Sequence, residues 1–225
     1  MLGLRRNFLA TVSLLALGAT ASAGEWTGFY IGLNAGVTAH RGEFTDLGDA
    51  GGNTYFNGAT LRSSNGPGAA FGGQFGYNWQ FGNFVYGIET DLSWLNAQAN
   101  DMPTPFLASR TRLDALTTVR GRVGFAALPS TLIYLTGGFS YGRIHNMLGN
   151  PASPDDFASN GWRTGWVMGT GIEYLLAART TVRFEGLFND FGSWDVVGRP
   201  TCTGNYRTRF SHSETTVRGA ISLKW

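Results

Sequence analysis

Four arginines and four carboxylates in this chain have the types and positions to do chemistry together: Glu89, Asp91, Arg120, Arg122, Glu173, Arg183, Glu185 and Arg218. Each sits on a segment of alternating pattern, opposite an apolar row. Groups of both signs in equal number can pair in a dry interior, line a water-filled pore, or form a solvated surface. If the interior is dry, removing one partner leaves an uncompensated charge at a cost of ~3–5 kcal/mol. We read the set as a structural network filling the inside of a barrel. A pore lined by the same arginines is the alternative.

Other reactive types are weaker. Ser211-His212-Ser213 beside Glu214 has the residues of a hydroxyl nucleophile, a base and an acid, which must lie within hydrogen-bond reach to work. On a strand, neighbouring residues point to opposite faces, so neither serine shares the face of His212, and no catalytic residue is assigned. The other histidines are His40 and His145. All three fall in or beside expected loops with no helical ligand spacing, so no metal site is assigned. Gly169-Thr170-Gly171 lacks the context of a phosphate loop and reads as a thin stretch of wall. No cofactor is expected. Asp46, Asp49, Asp155 and Asp156 read as loop solubility, with divalent ions bridging lipopolysaccharide as the alternative. Cys202 is the only cysteine and reads as an unpaired loop thiol.

The segments that position the charges alternate with period two, the signature of strands. Eight are expected, at 27–38, 69–79, 84–95, 112–125, 132–142, 162–175, 180–191 and 214–225, each about ten to fourteen residues long. Soluble strands are typically ~5–6 residues, whereas a tilted membrane-spanning strand needs ~9–11. The apolar row of the first is Phe29, Ile31, Leu33, Ala35 and Val37, against Tyr30, Gly32, Asn34 and Gly36. The fourth places Leu113, Ala115, Val119, Val123 and Phe125 against Asp114, Thr118, Arg120 and Arg122. Aromatics gather near strand ends, among them Phe29, Trp79, Phe84, Trp94, Phe125, Trp166, Tyr174 and Trp225, as in interfacial girdles. Glycines on the charged rows, such as Gly72, Gly76 and Gly87, make room for long arginines.

Composition agrees with a surface that does not meet water everywhere. Charged residues are 14% of the chain, with 33 glycines and Lys224 as the single lysine. Soluble domains are about 25% charged. The chain opens with Arg5 and Arg6, an apolar run from Phe8 to Leu17, and Ala21-Ser22-Ala23. That is the pattern of a secretory signal peptide, expected to be cleaved after Ala23. Residues 24–225 would then be one domain. Without those two arginines, the 17 Lys+Arg become 15 against 15 Asp+Glu. A near-neutral chain has no basic footprint for nucleic acid. Past the signal no apolar run is long enough for a transmembrane helix.

The expected connections alternate in length. Short turns fall at 81–83, 128–130 and 177–179, and long polar loops at 39–67, 96–111, 143–161 and 192–213. This is the plan of an outer-membrane barrel, with short periplasmic turns and long extracellular loops. The fold class is therefore all-β: an eight-stranded antiparallel up-and-down transmembrane β-barrel. The rows are expected to face apolar side out, charges in.

Three stretches resemble a known family. Trp26-Thr27-Gly28-Phe29-Tyr30-Ile31-Gly32-Leu33-Asn34-Ala35-Gly36 resembles the first strand of the small porin-like outer-membrane proteins of alphaproteobacteria, opacity-type eight-stranded barrels. Leu132-Ile133-Tyr134-Leu135-Thr136-Gly137-Gly138-Phe139-Ser140-Tyr141-Gly142 resembles their fifth strand, and Trp225 a terminal aromatic. The resemblance implies an integral outer-membrane protein with a role in envelope integrity or surface exposure. It also implies that Trp225 is a signal read by the barrel-assembly machinery. Its other implied partners are outer-membrane lipid, lipopolysaccharide and a surface ligand reached through the loops. Some eight-stranded outer-membrane barrels are lipid A deacylases, but the facing of Ser211, His212 and Ser213 argues against that here. A narrow diffusion porin and a loop-mediated adhesin remain the alternatives.

Overall fold

A computed structural model of the protein describes residues 25–49, 58, 60–104, 107–150, 153–198 and 206–225. The signal segment, Cys202, and the side chains of Asp49, Asp155 and Asp156 lie outside the described residues. Eight strands follow in order: β1 (Gly28–Asp49), β2 (Thr60–Phe81), β3 (Phe84–Thr104), β4 (Leu107–Leu128), β5 (Thr131–Asn150), β6 (Ser153–Ala177), β7 (Thr180–Gly198) and β8 (Tyr206–Lys224). Each pairs antiparallel with the next, and β8 returns to β1 to close the ring. Closure satisfies every ladder, the condition for a sheet that must live in hydrocarbon.

Gly82-Asn83, Pro129-Ser130 and Ala178-Arg179 join β2–β3, β4–β5 and β6–β7 at one end. Gly82 takes a φ of 60° there, open to glycine without a side-chain clash. The other end differs from the sequence expectation. Strands run 19 to 25 residues, so much of what reads as loop continues the ladder. The physical reason is that beyond a bilayer the outer face of a strand meets water, while the inner face is buried among polar as well as apolar groups, as at His40, Thr111 and Asn146. Polar residues on both faces erase the period-two signal without breaking backbone pairing. Bulges between His40/Gly42, Asp46/Gly48 and Asp190/Ser193 absorb the irregular residues.

The facing is inverted relative to a soluble protein. Leu33 is 69% exposed and Phe139 78%, while the charged rows point inward and are buried. One row needs correction. Leu113 belongs to the interior: a bulge between Leu113 and Ala115 shifts the phase of β4, and Leu113 is 0% exposed. The same bulge turns Asp114 toward Arg112 and His145 on the outer wall.

The interior is narrow, as an eight-stranded ring requires. Close approach decides where two large rings sit. Tyr30 lies opposite Gly76 and Tyr134 opposite Gly171. A Cβ at either glycine would fall 2.4 Å from the tyrosine hydroxyl. The missing side chains let both phenols lie flat along the wall and reach the centre.

Candidate functional site: a buried charge network in the barrel lumen

The eight charged residues singled out in sequence meet in the middle of the lumen, each 5% exposed or less. Register sets three pairs of opposite charge side by side. Glu89 is the cross-strand partner of Arg120, Glu173 of Arg183, and Glu185 of Arg218. Bonds reaching across the lumen join these neighbours into one circuit. Arg120 donates to Glu89, to Asp91 Oδ2 at 3.0 Å and, across the barrel, to Glu185 Oε2 at 3.1 Å. Arg218 donates to Glu185 Oε1 at 2.8 Å and reaches Asp91 at 3.3 Å from the opposite wall. Arg183 donates to Glu89 Oε2 at 2.6 Å. Arg122 donates to Glu173 Oε2 at 2.6 Å and lies 4.2 Å over the Tyr134 ring.

Neutral donors complete the carboxylates. Tyr30 donates to Glu89 at 2.7 Å, Tyr134 to Glu185 at 2.9 Å and Thr118 to Asp91 at 2.5 Å. Charge-assisted bonds of this kind are roughly twice as strong as neutral ones. They also fix side chains that would otherwise sample the lumen. Every carboxylate of the network is engaged by arginine, so none stands as a free general base.

Apolar layers flank the network. Toward the turn end, Trp26, Val85, Ala126, Leu132 and Tyr134 pack together, and Lys224 sits 5.4 Å from the Trp26 ring. Toward the other end, Ala70, Leu95, Leu113, Leu116, Ile144 and Phe191 form a second cluster.

Sequence reasoning missed two features of that end. Glu214 is buried and accepts hydrogen bonds from Thr38, Thr216 and, at 2.6 Å, Asn189. Its parity with Thr216 and Arg218 on β8 was the available signal, obscured because the stretch up to Ser213 reads as loop. The histidines also need correction. His40 and His212 are strand residues, stacked at 5.2 Å between centroids, with His212 Nδ1 3.2 Å from His40 Nε2. They meet because β1 and β8 keep pairing past the apolar band, His212 opposite Gly42. His145 lies on the outer wall beside Asp114. Ser211 and Ser213 flank His212 on the opposite face of β8, and the imidazole partner is His40 rather than a hydroxyl. Trp225 follows β8, donating its backbone N–H to Phe29 at 3.1 Å.

A family model described as outer membrane protein beta-barrel domain matches residues 8–212. The 31 kDa outer-membrane immunogenic protein of Brucella melitensis is 32% identical over 184 residues, covering 77% of this chain and 74% of that protein. The 22 kDa outer membrane protein of Rhizobium leguminosarum is 31% identical over 175 residues, covering 77% and 68%. Among solved structures, the outer membrane protein OprG of Pseudomonas aeruginosa shares the fold, with a TM-score of 0.57 at 13% identity over 90% of this chain and 99% of that one. With a closed ring of eight strands, apolar outside and charged within, the chain belongs to the outer membrane protein β-barrel domain family and is an outer-membrane protein.

Proposed function

We propose that this outer-membrane barrel is a structural, non-catalytic protein whose lumen is sealed by its charge network. The observation that carries the reading is Arg120, bonded to Glu89, Asp91 and Glu185 on two walls with no exposed side-chain surface. A permeant solute would have to break ion pairs between walls and displace the apolar layers on either side. Planar-bilayer recording of the purified protein is expected to give no stable single-channel steps at physiological salt. Stable steps would establish the narrow diffusion pore instead.

The projection of the strands past the apolar band favours a second role, presentation of a surface outside the cell. The Brucella relative carries "immunogenic" in its name, in keeping with exposure of that kind. A ligand held by the extracellular ends belongs to this reading.

Trp225 is assigned to biogenesis within the same reading. Trp225 is 60% exposed and stacks loosely on Phe29, at 6.4 Å between centroids, so packing explains little of it. Trp225→Ala is expected to lower the amount assembled in the outer membrane of cells several-fold. Refolding of the purified chain in detergent should proceed as for the wild type. Equal loss in both assays would make the tryptophan a packing residue rather than a signal for the assembly machinery.

A further inference from the structure

The outer wall carries no charge along the apolar band, and the residues that end this silence are mostly arginine. Going away from the turn end, the first outward ionised side chain is Arg41 on β1, Arg143 on β5 and Arg209 on β8. On β4 it is Asp114, at the bulge, with Arg112 beside it, and on β7 it is Asp190. The adjacent walls of β4 and β5 hold a cluster in which cations outnumber carboxylates. There Arg112 and His145 flank the carboxylate of Asp114, and Arg143 stands beside them on β5.

Asp114 is already engaged. It pairs with Arg112 through Nε and stands 3.2 Å from His145 Nε2. The contact with Arg112 is made through Nε, and its side chain stays 51% exposed. Arg143 has no carboxylate partner among the described residues. It lies opposite Trp162 and two residues beyond Tyr141, and those two rings stack at 4.8 Å. A tryptophan–tyrosine pair of this kind sits at headgroup depth, between acyl chains and water. Guanidinium groups directly above it meet the layer where phosphates lie. Arginine binds phosphate with a fork of donors, and reduced dielectric at the interface strengthens the attraction.

We propose that Arg112, Arg143 and His145, above the Tyr141–Trp162 stack, form a binding site for the phosphorylated headgroup of an outer-leaflet lipid. Asp114 orients Arg112 and His145, Arg143 supplies the unpaired fork, and the aromatic pair supports the first carbons of the acyl chains. The site is on the outer wall, so it stands whether or not the lumen conducts.

The test uses the full mature barrel, refolded in detergent and checked for its heat-modifiable gel shift. Occupancy by diphosphoryl lipid A and by dephosphorylated lipid A is read by native mass spectrometry. The phosphorylated lipid should bind about tenfold more tightly, as one or two charge-assisted contacts would give. Arg112→Ala with Arg143→Ala should remove that preference. Arg143→Gln alone, which breaks no ion pair, should weaken it several-fold. Arg209→Ala, whose partner Asp195 lies on the far side of the barrel, should leave it within twofold. Equal binding of the two lipids, or an unchanged double variant, overturns the proposal. So does full displacement by a soluble sulfated sugar, which would make the patch a polysaccharide site.

Discussion

Arg120→Ala is expected to lower the unfolding free energy by about 3–5 kcal/mol, the cost of leaving buried charge uncompensated. Arg120 is the residue through which β3, β4 and β7 share charge. Without it, Glu89 keeps Arg183 and, at 4.0 Å, Arg122, which also holds Glu173, while Asp91 and Glu185 must share Arg218. Four carboxylates then face three guanidiniums in a space with little water. The relevant comparison is a surface pair, where loss of one partner costs ~1 kcal/mol or less. Urea titration in phospholipid vesicles, followed by tryptophan fluorescence and gel shift, separates the two cases. Adding Glu185→Gln should recover part of the loss, because it restores the charge balance. Contacting residues in one network commonly couple by ~0.5–3 kcal/mol. A loss under ~1 kcal/mol with no recovery would mean that water already screens these groups, and the sealed lumen would be wrong.

That network was readable as a set but not as a circuit. Alternation alone puts Glu89, Arg120, Arg183 and Arg218 on the face opposite the apolar rows, because one parity of each strand is nearly free of charge. Which carboxylate meets which arginine depends on closure. Arg120 and Glu185 are 65 residues apart, and Arg218 and Asp91 are 127 apart, and no local pattern encodes either pair. Parity also fails wherever a bulge adds a residue, which is why Leu113 reads as outward and lies inward. Beyond the apolar band, lipid no longer dictates one face. The His40–His212 pair therefore sits in sequence that looks like loop, and Glu214 at the very first residue of an expected strand. The fold was legible because the bilayer imposes a strict rule, and legibility ends where the bilayer does.

Leu33→Arg is the second large effect, with an expected cost of ~2–4 kcal/mol in a bilayer. Leu33 lies halfway along the outward row of β1, between Phe29 and Val37. Its neighbours across the ladder are Gly73 and Ile221. Its exposure of 69% would make it an ordinary surface position in a soluble protein, where such a change falls within about ±0.5 kcal/mol. The medium alone separates the two outcomes, since the substitution removes few protein contacts. Val197 supplies the control. It is 59% exposed on β7, past the Asp190/Ser193 bulge and opposite Arg207, so Val197→Arg should meet water and cost under about 0.5 kcal/mol. Both variants are unfolded with urea in the same vesicles. A large loss for Leu33→Arg beside a small one for Val197→Arg places the edge of the hydrocarbon between the two positions. Wild-type behaviour of the Leu33 variant would mean that acyl chains do not touch that row, and the side of the wall assigned to lipid would have to be reversed.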